Sequence, residues 1–294
     1  MDAQQWLAER FEQQRPHLRA VAYRMLGSVS DAEDAVQEAW IRLNRSETGD
    51  IENFGGWLTT VVARISLNML RSRQTRREEP FEVHMPEPIV GPPGELDPEH
   101  AVLVADSVGL ALLVVLETLS AAERLAFVLH DVFAVSFEEI APMVERSPDA
   151  ARQLASRARR RVRGAAPVPE SSLAAQREVV EAFFTAARTG KFDQLVGVLH
   201  PDVVLRADFG LHGTAVPSTA AGAAKVAERA VMFADDGREV RHATVNGAAG
   251  AVIFIDGRPV SVMGFTIVAG QIAAIDVLGD PERLARLDLS ALDA

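Results

Sequence analysis

The chain has 294 residues, 48% of them hydrophobic, and a formal net charge of -11; that length predicts two or three cores rather than one. It contains no cysteine, which excludes disulfides, thiolate metal sites and cysteine nucleophiles and fits a reducing cytoplasm. The N-terminal stretch MDAQQWLAERFEQQ is charged and amphipathic rather than a secretory signal, and the longest apolar run, Val108 to Leu116, is too short for a bilayer and reads as a core helix.

The first module, residues 1–77, reads as all-helical. In SDAEDAVQEAWIRL the apolar residues recur at Ala32, Ala35, Val36, Ala39, Trp40 and Leu43. Ser30 followed by Glu33 predicts a capping box at the start of this helix. Asp31, Asp34, Gln37 and Glu38 fall on another face, of a kind that is usually just solvated. After the loop NRSETGDIENFGG comes WLTTVVARISLNMLRSRQTRRE, a helix bearing Arg64, Arg71, Arg73, Arg76 and Arg77 with no carboxylate before Glu78. Pro80, Pro86, Pro88, Pro92, Pro93 and Pro98 then fix the backbone. Residues 78–99 therefore read as an extended, semi-rigid linker.

The second module, residues 100–163, is also all-helical and ends in SFEEIAPMVERSPDAARQLASRARRRVR. Ser136 with Glu139 predicts a capping box, and Ser147 caps the next helix with Pro148 in its first turn. Together they form a helix-turn-helix. Pro142, inside the first of these helices, predicts a kink or a cost of roughly 3 kcal/mol. On the second helix Ala151, Leu154, Ala155, Ala158 and Val162 turn inward, while Arg152, Gln153, Ser156, Arg157 and Arg160 lie toward the other side. An apolar stripe docked on its own domain, opposite a polar cationic face, suits a recognition helix in the major groove. Arg159, Arg161 and Arg163 suit phosphates. The bland alternative is a solvated basic helix end favoured by the helix dipole. Two basic helices in an acidic chain, each closing its own module, point to bipartite engagement of one extended anion, with nucleic acid the leading candidate.

After a short linker at 164–172, the third module, residues 173–294, changes character. The helix LAAQREVVEAFFTAARTG ends at Gly190 as a C-cap. Beyond Val240 come the β-rich runs AVIFI, PVSVMGFTIV and QIAAIDVL, with Asp256-Gly257 as a hairpin turn. The module is α+β, with a curved antiparallel sheet. Arg206, Asp208, His212, His242 and Asp276 are candidates for a pocket, although Asp276, in an apolar strand, equally suits a buried, hydrogen-bonded structural role. The only tyrosine is Tyr23, in the first module, so a tyrosine-based oxyanion hole is not available here. No metal or cofactor is expected.

Taken in this order, DAEDAVQEAW, WLTTVVARISLNMLR and LETLSAAERLAFVLHDVFAVSFEEIA with the arginine helix behind it resemble the extracytoplasmic-function sigma factors of bacterial RNA polymerase, over roughly residues 10–163. The resemblance implies two all-α sigma domains, region 2 and region 4. It implies that Asp34, Gln37 and Glu38 face the polymerase clamp, and that region 4 meets the flap. The Asn44–Phe54 loop and the helix Trp57–Arg77, through Trp57, Arg64, Asn68 and Arg71, would handle the melted -10 promoter element. The helix-turn-helix would read the -35 element. Asn68 stands where many relatives place an aspartate.

The third module resembles the SnoaL-like, NTF2-like cone domains that follow the sigma domains in the SigJ-type subgroup. Met85-Pro86-Glu87-Pro88 looks like that subgroup's LPEP-type motif, and Asp280-Pro281-Glu282-Arg283-Leu284 like its NPDKL-type motif. The resemblance implies that Pro86, Glu87 and Pro88 meet Asp280, Pro281 and Arg283 when the extension packs on the sigma domains and controls them. The partners implied are core RNA polymerase and promoter DNA, with no membrane; a separate anti-sigma factor is compatible with this reading and not required by it. A ligand-sensing helix-turn-helix regulator and a SnoaL-like enzyme with a helical accessory region stay open as alternatives.

Overall fold

The computed structural model describes residues 3–45, 53–76, 84–94, 109–165, 172–210, 218–234 and 237–292. The chain forms two compact units. One comprises Met1–Pro80, Pro98–Asp106 and Val115–Ala165, the other Phe81–Asp97, Ser107–Val114 and Ala166–Ala294. The two helical modules thus share one unit, and most of the expected linker belongs to the other. The physical reason lies in its prolines: an extended, stiff segment is ready-made to lie on a sheet edge.

In the first unit, helices α1 (Ala3–Leu26), α2 (Val29–Arg45) and α3 (Phe54–Arg76) pack around Leu18, Val21, Met25, Val36, Leu43, Leu58 and Val62. Helix α2 begins earlier than expected. The Ser28 hydroxyl accepts from the Asp31 amide at 3.3 Å, so Ser30 sits within the first turn. Glu33 closes no capping box there; its carboxylate reaches Arg15 and Arg19 at 3.0 and 2.9 Å.

The boundary between the units falls within α4 (Leu110–Glu117). The first unit continues through α5 (Ala121–Phe127), a π-helical turn (Val128–Val132), α6 (Phe137–Val144) and α7 (Pro148–Ala165). Both α5 and α6 start on complete capping boxes, Ser120 with Glu123 and Ser136 with Glu139. Helix α6 runs past Pro142. The lost hydrogen bond is the one to the Glu138 carbonyl, and both residues are exposed, so water can replace it. These helices pack directly on the first three. Buried Arg124 donates its Nε to the Arg24 carbonyl at 3.1 Å and pairs with Glu117 at 2.7 Å. Phe133 meets His17 edge-on at 5.2 Å and lies beneath the Arg24 guanidinium at 5.1 Å.

The second unit carries α8 (Leu173–Arg188), α9 (Phe192–Val198), α10 (Ala223–Met232) and α11 (Pro281–Leu284) around a sheet. Its strands are β1 (Val90–Gly91), β2 (Leu199–Asp208), β3 (Thr219–Ala221), β4 (Arg238–Val245), β5 (Ala248–Ile255), β6 (Arg258–Val268) and β7 (Gln271–Leu278), in the order β1-β4-β5-β6-β7-β2-β3. The sheet is mixed, a correction to the antiparallel expectation. Strand β2 is followed by α10 before the meander β4–β7, and it pairs with β7 in parallel. Asp256-Gly257 turns the β5–β6 hairpin with both φ angles positive, as expected; Asn246-Gly247 and Ala269-Gly270 do the same for the neighbouring hairpins.

Both faces of this sheet are covered. Leu205, Ala207, Ile275 and Val277 join the core beneath α8–α10. On the other face Val245, Val252, Phe254, Val262 and Leu278 pack with Met85, Val90, Leu110, Val114 and Leu284. Among the described residues no helix is long and apolar enough to cross a membrane.

Candidate nucleic-acid interface and the segment between its halves

On α7 the chemistry follows from helical spacing. Ala151, Ala155 and Ala158 are fully buried, while Arg152, Gln153, Ser156, Arg157 and Arg160 are exposed. The cationic face is partly neutralised by its own unit. Arg157 Nε and Arg161 Nη1 reach the Glu123 carboxylate at 3.2 and 3.3 Å, Arg159 grips Asp131 at 2.6 Å, and Arg152 pairs with Asp149 at 2.7 Å. Burial pushes the Glu123 carboxyl up, but the Ser120 hydrogen bonds and the Arg161 and Arg157 charges together outweigh it and hold the group below the usual carboxylate range. Glu123 is marked in the sequence by the Ser120-x-x-Glu123 capping pattern alone. With two arginines held and two paired, Arg160, Gln153 and Ser156 are the exposed polar groups on this face for which no charged partner is seen among the described residues.

On α3, Trp57 is half-buried and Arg64, Asn68 and Arg71 are exposed. Steps of seven, four and three residues put all four on one stripe. The side chain of Arg76, the whole of Arg77 and the loop residues 46–52 lie outside the described residues. On α2, Asp34 and Gln37 are exposed and Glu38 pairs with Arg42 at 2.9 Å. Ile41, one turn on, is an exposed aliphatic side chain beside these polar ones.

Residues 10–76 match the Sigma-70 region 2 family, and residues 109–162 match Sigma-70, region 4. The ECF RNA polymerase sigma factor SigJ of Mycobacterium tuberculosis strain H37Rv is 42% identical over 278 residues, 91% of this chain and 86% of that one. The chain belongs to the extracytoplasmic-function RNA polymerase sigma factors. A probable sigma factor of the same class, SigI of M. tuberculosis strain CDC 1551, is 35% identical over 271 residues, 92% of each chain. The crystal structure of M. tuberculosis SigJ superposes with a TM-score of 0.75 at 34% identity, covering 96% of this chain and 99% of that one. A sigma factor directs transcription initiation; it is not itself an enzyme.

In this sigma factor the segment between regions 2 and 4 is built into the second unit. Met85, Pro86, Pro88, Ile89 and Val90 are buried. The Met85 amide donates to Asp208 Oδ2 at 2.9 Å, and Arg283 Nη1 donates to the same oxygen at 2.7 Å. Arg283 Nη2 also donates to the Met85 carbonyl. Asp208 Oδ1 accepts from the Gly210 amide at 3.0 Å. Asn246 exchanges two hydrogen bonds with Ile89, at 3.1 and 2.8 Å, and β1 then pairs with β4. Asp280 caps α11, with Pro281 in its first turn, and so aims Arg283 at the segment. Glu87 is half-exposed. The Met85 and Arg283 motifs meet, but within the second unit and through Asp208.

Asp208 is therefore not a pocket residue, nor are Arg206 and Asp276. Side chains alternate along β2, so Leu205, Ala207 and Phe209 line a cavity of about 610 Å³ while Arg206 and Asp208 face the opposite side. Arg206 grips Asp276 at 2.7 and 3.2 Å; burial pushes the Asp276 carboxyl up, and the Arg206 charge offsets part of that. His212 lies outside the described residues. Of the sequence candidates, His242 lines the cavity, edge-on to Phe184 at 6.0 Å.

Proposed function

We propose that this chain is a cytoplasmic promoter-recognition subunit that carries its own regulatory domain. The α2 face of Asp34, Gln37, Glu38 and Ile41 docks on the clamp of core RNA polymerase, and region 4 meets the flap. The α3 stripe of Trp57, Arg64, Asn68 and Arg71 holds the melted -10 strand by stacking and backbone contacts. The α7 face of Arg152, Gln153, Ser156, Arg157 and Arg160 enters the -35 major groove. The observation that carries this reading is that both basic stripes are exposed, one in each matched region.

Geometry adds a requirement. Elements centred at -10 and -35 lie roughly 85 Å apart at about 3.4 Å per base pair. A compact unit of the first unit's size is only about 40 Å across. Both stripes reach their elements together only if the Arg124–Arg24 and His17–Phe133 contacts separate. The tether joining the two regions passes through Met85–Gly91, which the second unit grips. That grip shortens the free tether, and so the second unit restrains opening.

Run-off transcription with purified core polymerase tests the assignment with Arg64→Ala and Arg160→Ala. Both side chains are exposed, so stability is expected to stay within about 0.5 kcal/mol of the parent. Each variant is expected to lose initiation while keeping its affinity for core polymerase. Full initiation by both would refute the proposed stripes.

A further inference from the structure

The α3 stripe does not stop at Trp57. Phe54 lies three residues earlier, in phase with Trp57, Arg64, Asn68 and Arg71. It opens the helix, yet its ring is buried. Part of its cover comes from α1. The Arg10 guanidinium lies over the Phe54 ring at 4.9 Å and over the Trp6 ring at 4.8 Å. Gln14 continues the same face of α1, and a β-carbon on Gly55 would come within 3.1 Å of its Oε1. Steps of four from Trp6 through Arg10 to Gln14 thus lay one edge of α1 beside the start of α3.

This cluster has the chemistry of a single-strand contact. Trp6 is 43% exposed, whereas Trp40 packs on Phe11 at 4.9 Å and Trp57 is half-buried. An exposed indole offers a stacking face that any of the four bases can use. Arg10 is exposed, and a guanidinium lying over aromatic rings keeps its N–H edge, so that edge can donate to a phosphate. Of the nearest carboxylates along α1, Glu12 pairs with Arg15 at 2.9 Å and Glu9 accepts from Gln5 at 3.5 Å. The α2 face of Asp34, Gln37, Glu38 and Ile41 is acidic and aliphatic; this one is aromatic and cationic, which matches a nucleic-acid strand. Phe54 lies about 4.5 Å beyond Trp57 along the helix, on the order of one stacked nucleotide at about 3.4 Å.

We propose that Trp6 and Arg10 form a further DNA contact: the base next beyond those on the α3 stripe stacks on Trp6, and Arg10 holds its phosphate. The proposal rests on the reading of α3 as the holder of the melted strand and extends that track by one nucleotide past the N-terminal end of the helix.

Holoenzyme assembled from the full-length chain and core polymerase, on a promoter that supports run-off initiation, carries the test. 2-Aminopurine, whose fluorescence falls on stacking, is placed at one position at a time through the melted -10 strand and about four nucleotides to either side. One position at an edge of the element is expected to be quenched in the parent complex, to recover in Trp6→Ala and to stay quenched in Trp6→Tyr. Trp6→Ala is expected to weaken complex formation about five- to a hundredfold. Because Trp6 is exposed, its thermal melt is expected to match the parent. Arg10→Gln, which keeps a side chain beside Phe54, is expected to flatten the log–log salt dependence by about 0.7. Arg64→Ala in the same assay separates this contact from the stripe. A Trp6-dependent quench in a holoenzyme that tolerates Arg64→Ala would sustain the Trp6 contact and remove Arg64 from the track. Loss of initiation in Arg64→Ala with no Trp6-dependent quench at any position would overturn the Trp6 contact and leave the stripe standing. Weaker binding of Trp6→Ala to core polymerase, with the quench unchanged, would place the indole on protein and overturn it too.

Discussion

Replacing Asp208 by alanine should loosen the tether without unfolding the unit that holds it. The carboxylate is buried, at 6% side-chain exposure, and accepts from the Met85 amide, the Gly210 amide and Arg283. Its loss strands a buried N–H at Met85, a cost of about 1–3 kcal/mol. It also removes the countercharge of Arg283; breaking a fully buried pair costs about 3–5 kcal/mol, and partial exposure of the guanidinium reduces that. Arg283 keeps the Met85 carbonyl, and Ile89 and Val90 keep their burial. A net weakening of about 3 kcal/mol follows, which is about a hundredfold more frequent opening of the segment. Amide hydrogen exchange at Ile89 reads this directly, because its own acceptor, Asn246, is untouched. Asp208→Asn keeps an acceptor and should show a smaller effect. Arg283→Met combined with Asp208→Ala should cost less than the sum of the two. Unchanged exchange at Ile89 in Asp208→Ala, or strict additivity of the pair, would refute the idea that this cluster holds the tether.

Glu123→Gln should free Arg157 and Arg161 from their shared carboxylate while weakening the capping box of α5 by about 1 kcal/mol. Binding to a -35 duplex, followed by fluorescence anisotropy against salt, should tighten and grow steeper by about one to two counterions; no change in slope would mean that those arginines do not face DNA. His17 supplies a pH dependence. Burial, with the Arg24 charge, lowers its pKa below the ordinary 6.5. The unfolded chain therefore binds the proton first, so the His17 contribution is complete above about pH 6.5 and is lost as pH falls through the lowered native value. Thermal melts of His17→Gln, which keeps a partner for the Thr59 hydroxyl, should show a flatter acid limb than the parent; identical limbs would assign the dependence elsewhere.

Much of the helical half could be read in advance because local chemistry decides it. Ser136-x-x-Glu139 and Ser147-Pro148 specify caps within four residues, and the alanine stripe of α7 specifies its buried face. The start of α2 could not be settled this way. Ser28 and Ser30 both offer a capping hydroxyl, and Glu33, which would have chosen Ser30, is drawn off by Arg15 and Arg19 from another helix. The same limit applies to the arginines of α7. Their outward direction follows from helical period, but their partners Glu123 and Asp131 lie 38 and 28 residues away in sequence. The prolines of the 78–99 segment announce extended backbone and are silent on whether that backbone is free or laid against a sheet. Asp208, Asn246 and Arg283, brought in from three distant places, lay it against the sheet. Asp208, an aspartate near a glycine and a histidine in sequence, has the look of pocket chemistry until strand parity assigns it to the other face.

That parity ties the two faces of the second unit together. Ala207 and Phe209 line the cavity, and Asp208 between them holds Met85 and Arg283. Across the ladder Val277 lines the cavity and Asp276 anchors Arg206 on the reverse. A strand in a packed sheet has little freedom to shift one face without the other, since interiors are close-packed and transmit strain. The end of β2 is further pinned where the Gly279 amide donates to the Asp208 carbonyl at 2.7 Å and where Gly210, at φ 70°, leaves no room for a β-carbon beside the Asp280 carboxylate. The cavity wall and the anchor of the Met85–Gly91 segment are therefore the same three residues of backbone.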